Sequence, residues 1–203
     1  AQNWELKISA ENEGILTPSK VQYVMQGYNY KEVGYQFDGK MQVLRQILST
    51  DWLQTQLRVL GGAYGGYCSI SPNGLLVFSS YRDPNLDETL KNYANTKNYL
   101  VNFKASEKEM TRYVIGTIAG MDSPLTPSQK GTSAYNAWLT HNSAEKAQAE
   151  RNAVLSVTAA DINSYAEMIG KVTEKNRFCV YGNADKLNAS AKLFKKLVKL
   201  DKN

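Results

Sequence analysis

Residues 57–84 read LRVLGGAYGGYCSISPNGLLVFSSYRDP, and the rest of the chain is organised around this stretch. Four glycines fall within six residues and surround one aromatic hydroxyl, that of Tyr64; the glycines are Gly61, Gly62, Gly65 and Gly66. Glycine is favoured where the backbone needs a positive φ or where another chain approaches closely. The stretch therefore indicates either a turn that feeds a hairpin or a loop that presents Tyr64 and Arg58 to a ligand.

A helix is predicted before this loop and a hairpin after it. Apolar residues recur at helical spacing over residues 40–57, which predicts a largely buried helix. Those residues include Met41, Leu44, Leu48 and Trp52. Arg58 would follow in the last turn, where a cation suits the helix dipole and where Gly61 or Gly62 would end the helix. The turn sequence at 71–74 predicts a hairpin of strands 63–70 and 74–81.

Extended segments are predicted near both ends of the chain. Alternation predicts a short strand over 13–17 and a longer one over 20–30, with Pro18 between them because proline cannot donate to a strand ladder. Another short strand is predicted over 177–182. Beyond it, apolar residues at helical spacing predict a closing amphipathic helix. These residues are Leu187, Ala191, Phe194 and Val198.

Several helices are predicted between the hairpin and the last strand, including one over about 159–174. Their starts are marked by side chains that can cap a helix. The candidate pairs are Asn85 with Glu88, Ser106 with Glu109, Asn142 with Glu145, and Thr158 with Asp161. The order of elements predicts one α+β domain with a mostly antiparallel sheet and helices packed on one face. Its predicted core contains Leu44, Ile47, Leu48, Val77, Phe78, Val114, Ile118, Val180 and Phe194.

The composition limits the classes of partner. The 203 residues carry 24 Lys and Arg against 19 Asp and Glu, a mild net charge of +5. The lysines near the C-terminus are not interleaved with aromatic residues, so they indicate a solvated helix face rather than a nucleic-acid site. A basic module for acidic partners is the weaker alternative. No apolar run is long enough to span a membrane.

The two cysteines, Cys68 and Cys179, lie far apart, each within a strand-like run. They predict small buried residues in a reducing compartment, with a single disulfide as the open alternative. We therefore expect a soluble protein of the cytoplasm or of an organelle matrix. The chain begins without an initiator Met, which is expected of a processed or excised piece.

The common catalytic and metal-binding motifs are missing from the sequence. His141 is the single histidine, so a closed zinc site within this chain is not expected, and a surface or capping role is predicted for it. The glycines of residues 61–66 are not followed by Gly-Lys-Ser/Thr, which excludes a phosphate-binding loop of that type. Asp83, Asp87 and Glu88 are interpreted as turn and cap residues rather than as paired catalytic carboxylates.

Several separated motifs, taken together, resemble those of one family. The motifs are LRVLGGAYGG at 57–66, FSSYRDPNL at 78–86, the segments 12–18 and 21–24, IGTI at 115–118 and KG at 130–131. Over roughly residues 12–200 the chain resembles the C-terminal half of the presequence-protease branch of the pitrilysin and insulin-degrading metallopeptidase superfamily. That resemblance implies four homologous α+β domains, arranged as two halves around a chamber that admits unfolded peptides.

The resemblance also implies roles for individual residues. In this family the N-terminal half holds zinc through a His-x-x-Glu-His motif, and the C-terminal half supplies an Arg and a Tyr that match Arg58 and Tyr64. Residues 1–203 would be the last domain, with residues 1–12 the end of a connecting segment. Zinc would be held by a different domain, with no metal site in this chain. Substrate would contact the residues flanking Tyr64, namely Gly62, Ala63 and Gly65.

Two functions of different class follow from the resemblance. The first is the substrate-chamber domain of a zinc endopeptidase that degrades short unfolded peptides, with the remaining domains of the polypeptide and those peptides as partners. The second is a non-catalytic scaffold or assembly subunit of the same superfamily. The presence of both Arg58 and Tyr64 at the matching spacing favours the enzyme. On its own the chain is expected to show no peptidase activity and no tight zinc binding, since it lacks the zinc motif.

Overall fold

The computed structural model describes residues 11–199, so residues 1–10 of the predicted connecting segment lie outside the described part. Strands of this part form one sheet in the order β3-β4-β2-β5-β1-β6. The strands are β1 Glu13–Thr17, β2 Tyr23–Asn29, β3 Gly65–Ile70, β4 Leu75–Tyr81, β5 Phe178–Asn183 and β6 Lys196–Lys199. The strands predicted near 13–17, 20–30 and 177–182, and both strands of the hairpin, are confirmed.

The sheet is mixed. The pairs β3–β4, β4–β2 and β2–β5 are antiparallel, whereas β1 pairs parallel with both β5 and β6. Strands β1 and β2 are adjacent in sequence, but β5 lies between them because the chain returns to the sheet after all the long helices. The prediction of a mostly antiparallel sheet is thus confirmed. The parallel pairing of β1 at one edge was not predicted.

Eight α-helices occur within residues 11–199, and those that pack against the sheet cover one face of it. They are α1 Met41–Ile47, α2 Asp87–Val101, α3 Glu107–Met121, α4 Pro127–Leu139, α5 Ala144–Leu155, α6 Ala159–Ser164, α7 Ala166–Glu174 and α8 Ala184–Ala189. Helix α1 continues as two π-helical segments, Leu48–Trp52 and Gln54–Leu60. Short 3-10 turns cover Tyr30–Val33 and Ala191–Leu193. The architecture is α+β, as predicted.

The core lies between the sheet and the helices. Phe78 is fully buried and its ring stacks on that of Tyr93, with centroids 5.2 Å apart. The Tyr93 hydroxyl donates to the Val24 carbonyl oxygen at 3.0 Å, so helix α2 is joined to strand β2 by a buried hydrogen bond. Five of the predicted core residues are fully buried: Leu44, Ile47, Leu48, Phe78 and Val180.

Four predicted core residues lie at its margin or beyond it. Val114, Ile118 and Phe194 are partly buried against the core. Val77 is half-buried on the opposite face of the sheet, which corrects its placement between sheet and helices. The reason is the alternation of a strand: both neighbours of Val77, Leu76 and Phe78, point into the core.

The predicted closing helix is wrong. A short helix, α8, is followed by a 3-10 turn and then by β6, so Phe194 and Val198 lie in extended backbone beyond the helix. Strand β6 aligns Val198 with Ile15 of β1. The free edge of β1 offers backbone hydrogen bonds to a strand. These bonds stabilise the extended conformation more than the weak helical preference of four spaced apolar residues stabilises a helix.

Two of the predicted helix caps are confirmed. Ser106 with Glu109 and Thr158 with Asp161 both form capping boxes, in which each side chain bonds the backbone N–H of the other residue. The predicted helix over 159–174 is interrupted at Tyr165, which divides it into α6 and α7.

The cap predicted at Asn142 is wrong by one residue. Ser143 caps α5 by accepting a hydrogen bond from the Lys146 amide at 3.3 Å. His141 is exposed beside it, with a left-handed backbone at φ 53°, which agrees with a surface role.

The two cysteines differ in environment, and both are free, so the alternative of a disulfide is not realised. Cys68 is buried, and its burial raises the pKa of the thiol. Cys179 is exposed, which corrects the prediction of two buried thiols, because alternation along β5 directs Val180 rather than Cys179 into the core. Partial burial, and secondarily the nearby charge of Glu13, raises the pKa of Cys179.

Thiol labelling of the folded chain should therefore modify Cys179 and spare Cys68. The thiolate is the reactive form, so the raised pKa of Cys179 should make its labelling rate increase steeply from neutral to alkaline pH. Mass spectrometry of the labelled chain measures both sites. Cys179→Ser should remove the fast-reacting thiol, and fast labelling of Cys68 would contradict the burial described above.

Replacing Phe78 by Ala should lower the free energy of unfolding by about 3–5 kcal/mol, because it leaves a cavity against Tyr93. Val77→Ala is the matched control, one residue away on the opposite face, and should cost about 1 kcal/mol or less. Urea denaturation of the three proteins measures both values. A small loss for Phe78→Ala would show that the sheet faces the helices in the other register.

Candidate functional site

The helix that leads to the site covers the outer edge of strand β3. The Ser49 hydroxyl accepts a hydrogen bond from the Cys68 amide at 3.0 Å and lies 3.3 Å from the Cys68 carbonyl oxygen, to which it donates. A Cβ atom at Gly66 would lie 2.6 Å from the Leu57 Cδ1 atom, so glycine is needed there for the helix to approach the strand. The π-helical segments thus lie directly against the edge of the sheet.

The glycine loop, residues 61–66, ends this helix and turns the chain into the hairpin. Gly62 has a φ of 77°, a left-handed conformation that favours glycine, and its amide donates to the Arg58 carbonyl at 3.1 Å. The Ala63 amide donates to the Leu57 carbonyl at 2.8 Å. The Tyr64 amide then donates to the Tyr81 carbonyl at 3.0 Å and starts the β3–β4 pairing. The prediction that a glycine here ends the helix is confirmed.

Asn85 supports the glycine loop, whereas the sequence predicted that it would cap a helix. Its side-chain amide donates to the Gly61 carbonyl oxygen at 2.6 Å. Helix α2 begins at Asp87 after Leu86, which makes no side-chain cap, so the predicted Asn85 cap is wrong. The Asp83 carboxylate accepts from the Asn85 backbone N–H at 2.8 Å and fixes the local turn. This turn directs the Asn85 side-chain amide toward the loop.

Asp83 has a structural role, as predicted. It is fully buried, its backbone pairs with that of Gln22, and its carboxylate accepts from the Thr89 hydroxyl at 2.6 Å. The residue before it, Arg82, has a left-handed backbone with φ 48°, which is uncommon outside glycine and asparagine.

Arg58 and Tyr64 come together at the surface of the glycine loop. The Arg58 Cζ atom lies 5.9 Å from the centroid of the Tyr64 ring, within the range of a cation–π contact. Both side chains are exposed, Tyr64 to 63 %. Among residues 11–199, no hydrogen bond or ion pair engages the Tyr64 hydroxyl or the Arg58 guanidinium. Both donor groups are therefore available to a ligand.

The three predicted substrate-contact residues lie in different settings. Gly62 is exposed beside Tyr64, the Ala63 side chain is buried, and Gly65 is buried beneath the ring of Tyr67. A Cβ atom at Gly65 would lie 2.5 Å from the Tyr67 hydroxyl oxygen, so this glycine gives the ring its space. Tyr67 was not predicted as a site residue, although its position two residues after Gly65 on a strand places both residues on the same face.

Other aromatic side chains adjoin Tyr64 on the face of the sheet opposite the helices. The Tyr64 and Tyr81 rings meet edge to face with centroids 5.6 Å apart. Tyr81 in turn lies 5.3 Å from Tyr23, and the Arg82 Cζ atom lies 5.8 Å from the Tyr81 ring centroid. None of these neighbours of Tyr64 was predicted as a site residue. Tyr81 lies on the second strand of the hairpin, and Tyr23 lies 58 residues before Tyr81 on strand β2.

The site contains donors but no set of metal ligands. Within residues 11–199 no group of three or more His, Cys, Asp or Glu side chains is arranged to hold a metal ion. In the same residues, no helix combines the length and the apolar character needed to cross a bilayer.

Comparison with known proteins identifies the family. The model of the PreP C-terminal domain matches residues 12–182. The chain belongs to the PreP C-terminal domain family. The resemblance to the presequence-protease branch is thereby confirmed, and the domain is one of a protease family.

Relatives extend over almost the whole chain. Protein HypA of Clostridium perfringens is 38% identical over 193 residues, which are 95% of this chain and 20% of that protein. Presequence protease 1 of Arabidopsis thaliana, a chloroplastic and mitochondrial protein, is 34% identical over 188 residues, 92% of this chain and 17% of that protein. The chain therefore spans about a fifth of the length of these relatives.

Solved structures share the fold. The peptidase M16 inactive domain from Pseudomonas fluorescens superimposes with a TM-score of 0.59 at 15% identity, covering 89% of this chain and 46% of that one. The periplasmic protease PqqL of Escherichia coli gives a TM-score of 0.58 at 13% identity, covering 86% of this chain and 21% of that one. At these identities the likeness concerns the α+β fold.

Replacing Asn85 by Ala should weaken the attachment of the glycine loop. The change removes the donor to the Gly61 carbonyl and should cost about 1–2 kcal/mol of unfolding free energy. Hydrogen exchange of the Ala63 and Tyr64 amides should become faster. Asn95→Ala, an exposed change in α2, serves as the control and should alter neither quantity. Unchanged exchange in Asn85→Ala would show that the helix end alone holds the loop.

Proposed function

We propose that this chain is the substrate-chamber domain of a zinc-dependent endopeptidase that degrades short unfolded peptides. In this proposal residues 1–203 are the last of four domains, and Arg58 and Tyr64 face a zinc site held by another domain. The observation that carries the proposal is the exposed Arg58–Tyr64 pair, with its 5.9 Å contact and its unengaged donor groups. Membership of the PreP C-terminal domain family supports the choice of peptidase chemistry.

The chemistry of peptide hydrolysis matches these two donors. Attack on the scissile carbonyl builds negative charge on its oxygen, and a positioned O–H donor stabilises that charge more in the transition state than in the ground state. Tyr64 would supply this donor. Arg58 would orient the peptide backbone through its guanidinium or hold the Tyr64 ring through the cation–π contact.

Zinc belongs to another domain in this proposal. The described residues include no cluster of three or more potential metal ligands, so they do not fit a zinc site. The contribution of this chain is limited to the two donors and to the loop that holds them. Accordingly, we expect the isolated 203-residue chain to be inactive and to retain no zinc after dialysis.

The remaining domains of the same polypeptide are the proposed partners, and α4 is the proposed contact. This helix buries no residue against the rest of residues 11–199. Its Tyr135 and Trp138 rings stack 6.1 Å apart, and Trp138 is 71 % exposed. A helix with an exposed aromatic pair is typical of an interface. Relatives about five times as long support the presence of further domains.

The compartment proposed is a soluble, reducing one, either the cytoplasm or an organelle matrix. Two free cysteines are consistent with a reducing environment. The names of the relatives from Arabidopsis thaliana and Emericella nidulans place those proteins in chloroplasts or mitochondria, which supports the organelle option.

A non-catalytic scaffold of the same superfamily is the alternative. It requires no free donors on the glycine loop, whereas the enzyme requires both. The discriminating observation is the sequence that precedes this chain in its gene: a His-x-x-Glu-His motif there supports the enzyme, and its absence supports the scaffold.

Tyr64→Phe in the intact polypeptide should lower kcat by about 10²- to 10³-fold, the range for one oxyanion donor. KM should change little, because the lost interaction strengthens only in the transition state. Steady-state kinetics on several peptides measures both constants. Arg58→Ala should also raise KM if the guanidinium contacts the peptide backbone.

Tyr28→Phe is the matched control for Tyr64→Phe, since it removes a surface hydroxyl that donates to Glu32 at 2.8 Å, away from the candidate site. Its kcat should equal that of the unaltered protein. Melting curves for every variant separate catalytic from folding effects. A Tyr64→Phe protein with unchanged kcat would remove the proposed role of this hydroxyl.

A further inference from the structure

Four tyrosine rings form a continuous row across the face of the sheet opposite the helices. Tyr64 contacts Tyr81, Tyr81 contacts Tyr23, and Tyr23 contacts Tyr181, with centroids 5.6, 5.3 and 5.6 Å apart. All three contacts are edge to face. We call this set the tyrosine row. It crosses strands β4, β2 and β5 and begins at the candidate site.

Helices leave the tyrosine row uncovered. Tyr64 is 63 %, Tyr181 41 % and Tyr81 39 % exposed, and the adjacent Tyr67 and Met25 are 52 % and 50 % exposed. Among residues 11–199, no hydrogen bond engages the hydroxyls of the four row tyrosines. The surface therefore combines apolar ring area with free hydroxyl groups, a combination that binds peptides through contact area and through hydrogen bonds to carbonyls.

We propose that the tyrosine row binds the part of the peptide substrate that extends beyond the scissile bond, as an extended chain lying across the strands. This inference rests on the proposed function, because it extends the Arg58–Tyr64 site. The three ring-to-ring steps place the Tyr181 centroid at most about 16.5 Å from that of Tyr64, a distance that an extended peptide covers with about five residues at roughly 3.3 Å each.

Two features favour a substrate peptide as the occupant. The row is continuous with the candidate site, since its first ring is that of Tyr64 itself. The outer edge of β3, where a peptide could otherwise add as a strand, is already covered by the helix that carries Ser49 and Leu57. A peptide that reaches Tyr64 therefore cannot add to β3 as a strand, and the adjoining side chains of the sheet face are the surface that this domain offers it.

Binding by tyrosine rings would tolerate many substrate sequences. Stiff aromatic rings bind apolar and aromatic side chains through contact area and need no single partner, while their hydroxyls bond backbone carbonyls present in every peptide. Two arginines lie over its rings, Arg58 over Tyr64 and Arg82 over Tyr81, and their guanidinium groups can donate to the backbone carbonyls of any peptide. We therefore expect affinity to depend on the length and apolar content of the peptide beyond the cleaved bond.

The test is the length dependence of KM in the intact polypeptide. Two peptide series share one cleavage site and extend from it by zero to eight residues, one series toward each terminus. Tyr181→Ser should raise KM by about 2- to 12-fold, the range for one aromatic contact, only for peptides that extend about five or more residues on one side. Shorter peptides should keep their KM, and kcat should be unchanged throughout.

Two further variants act as controls. Tyr181→Phe keeps the ring and should retain most of the affinity for long peptides. Leu155→Ser removes an exposed apolar side chain from the end of helix α5, away from the tyrosine row, and should leave KM unchanged for every length. Fluorescence anisotropy with a labelled long peptide gives Kd directly, so the row can be tested even in a polypeptide that does not cleave.

Three results would overturn the tyrosine row as a peptide site. One is an unchanged KM and Kd for long peptides in Tyr181→Ser, and another is an equal rise of KM for short and long peptides. The third is a lowered melting temperature of Tyr181→Ser without length dependence, which would assign the face to packing against another domain. An unchanged kcat in Tyr64→Phe would contradict the proposed function instead, so the two failures are distinguishable.

Discussion

The close packing of the helix that ends at Leu60 against strand β3 is the constraint on which the site depends. Glycine at residue 66 leaves room for Leu57 and Leu53 against the strand, and Ser49 satisfies the Cys68 backbone groups that would otherwise lie unpaired at the sheet edge. This packing fixes where the helix ends. The short loop then has to carry the chain from Arg58 to Tyr64, which brings the guanidinium and the ring together.

Much of this architecture could be predicted because it is local. The hairpin is determined by its turn residues, two of the helix starts by reciprocal capping boxes, and the end of the helix by the glycines that follow it. The contact between Arg58 and Tyr64 was also predictable in outline, because they are six positions apart and a tight turn at the glycines lies between them. The pairing of strands that are distant in sequence leaves no such local signal.

The features that escaped prediction all involve partners distant in sequence. Residues near Val198 have helical spacing, yet the free edge of β1 draws them into a parallel strand. Asn85 has the composition of a helix cap, yet its amide bonds the Gly61 carbonyl, 24 residues earlier. The tyrosine row joins residues as far apart as Tyr23 and Tyr181, so only the strand order of the sheet reveals it. A surface on a sheet face is hardest to predict from the sequence when its strands come from both ends of the chain.

The two edges of the sheet bear on the solubility of the domain when it is expressed alone. Exposed strand edges promote edge-to-edge association, and natural proteins protect them with covering elements or with lysines. Here one edge is occupied by a helix whose serine bonds the strand backbone, and the other is a four-residue strand that begins and ends with Lys196 and Lys199. These edges therefore disfavour self-association of the domain through its strands, a property that would suit the chamber wall proposed above, which meets unfolded, aggregation-prone peptides.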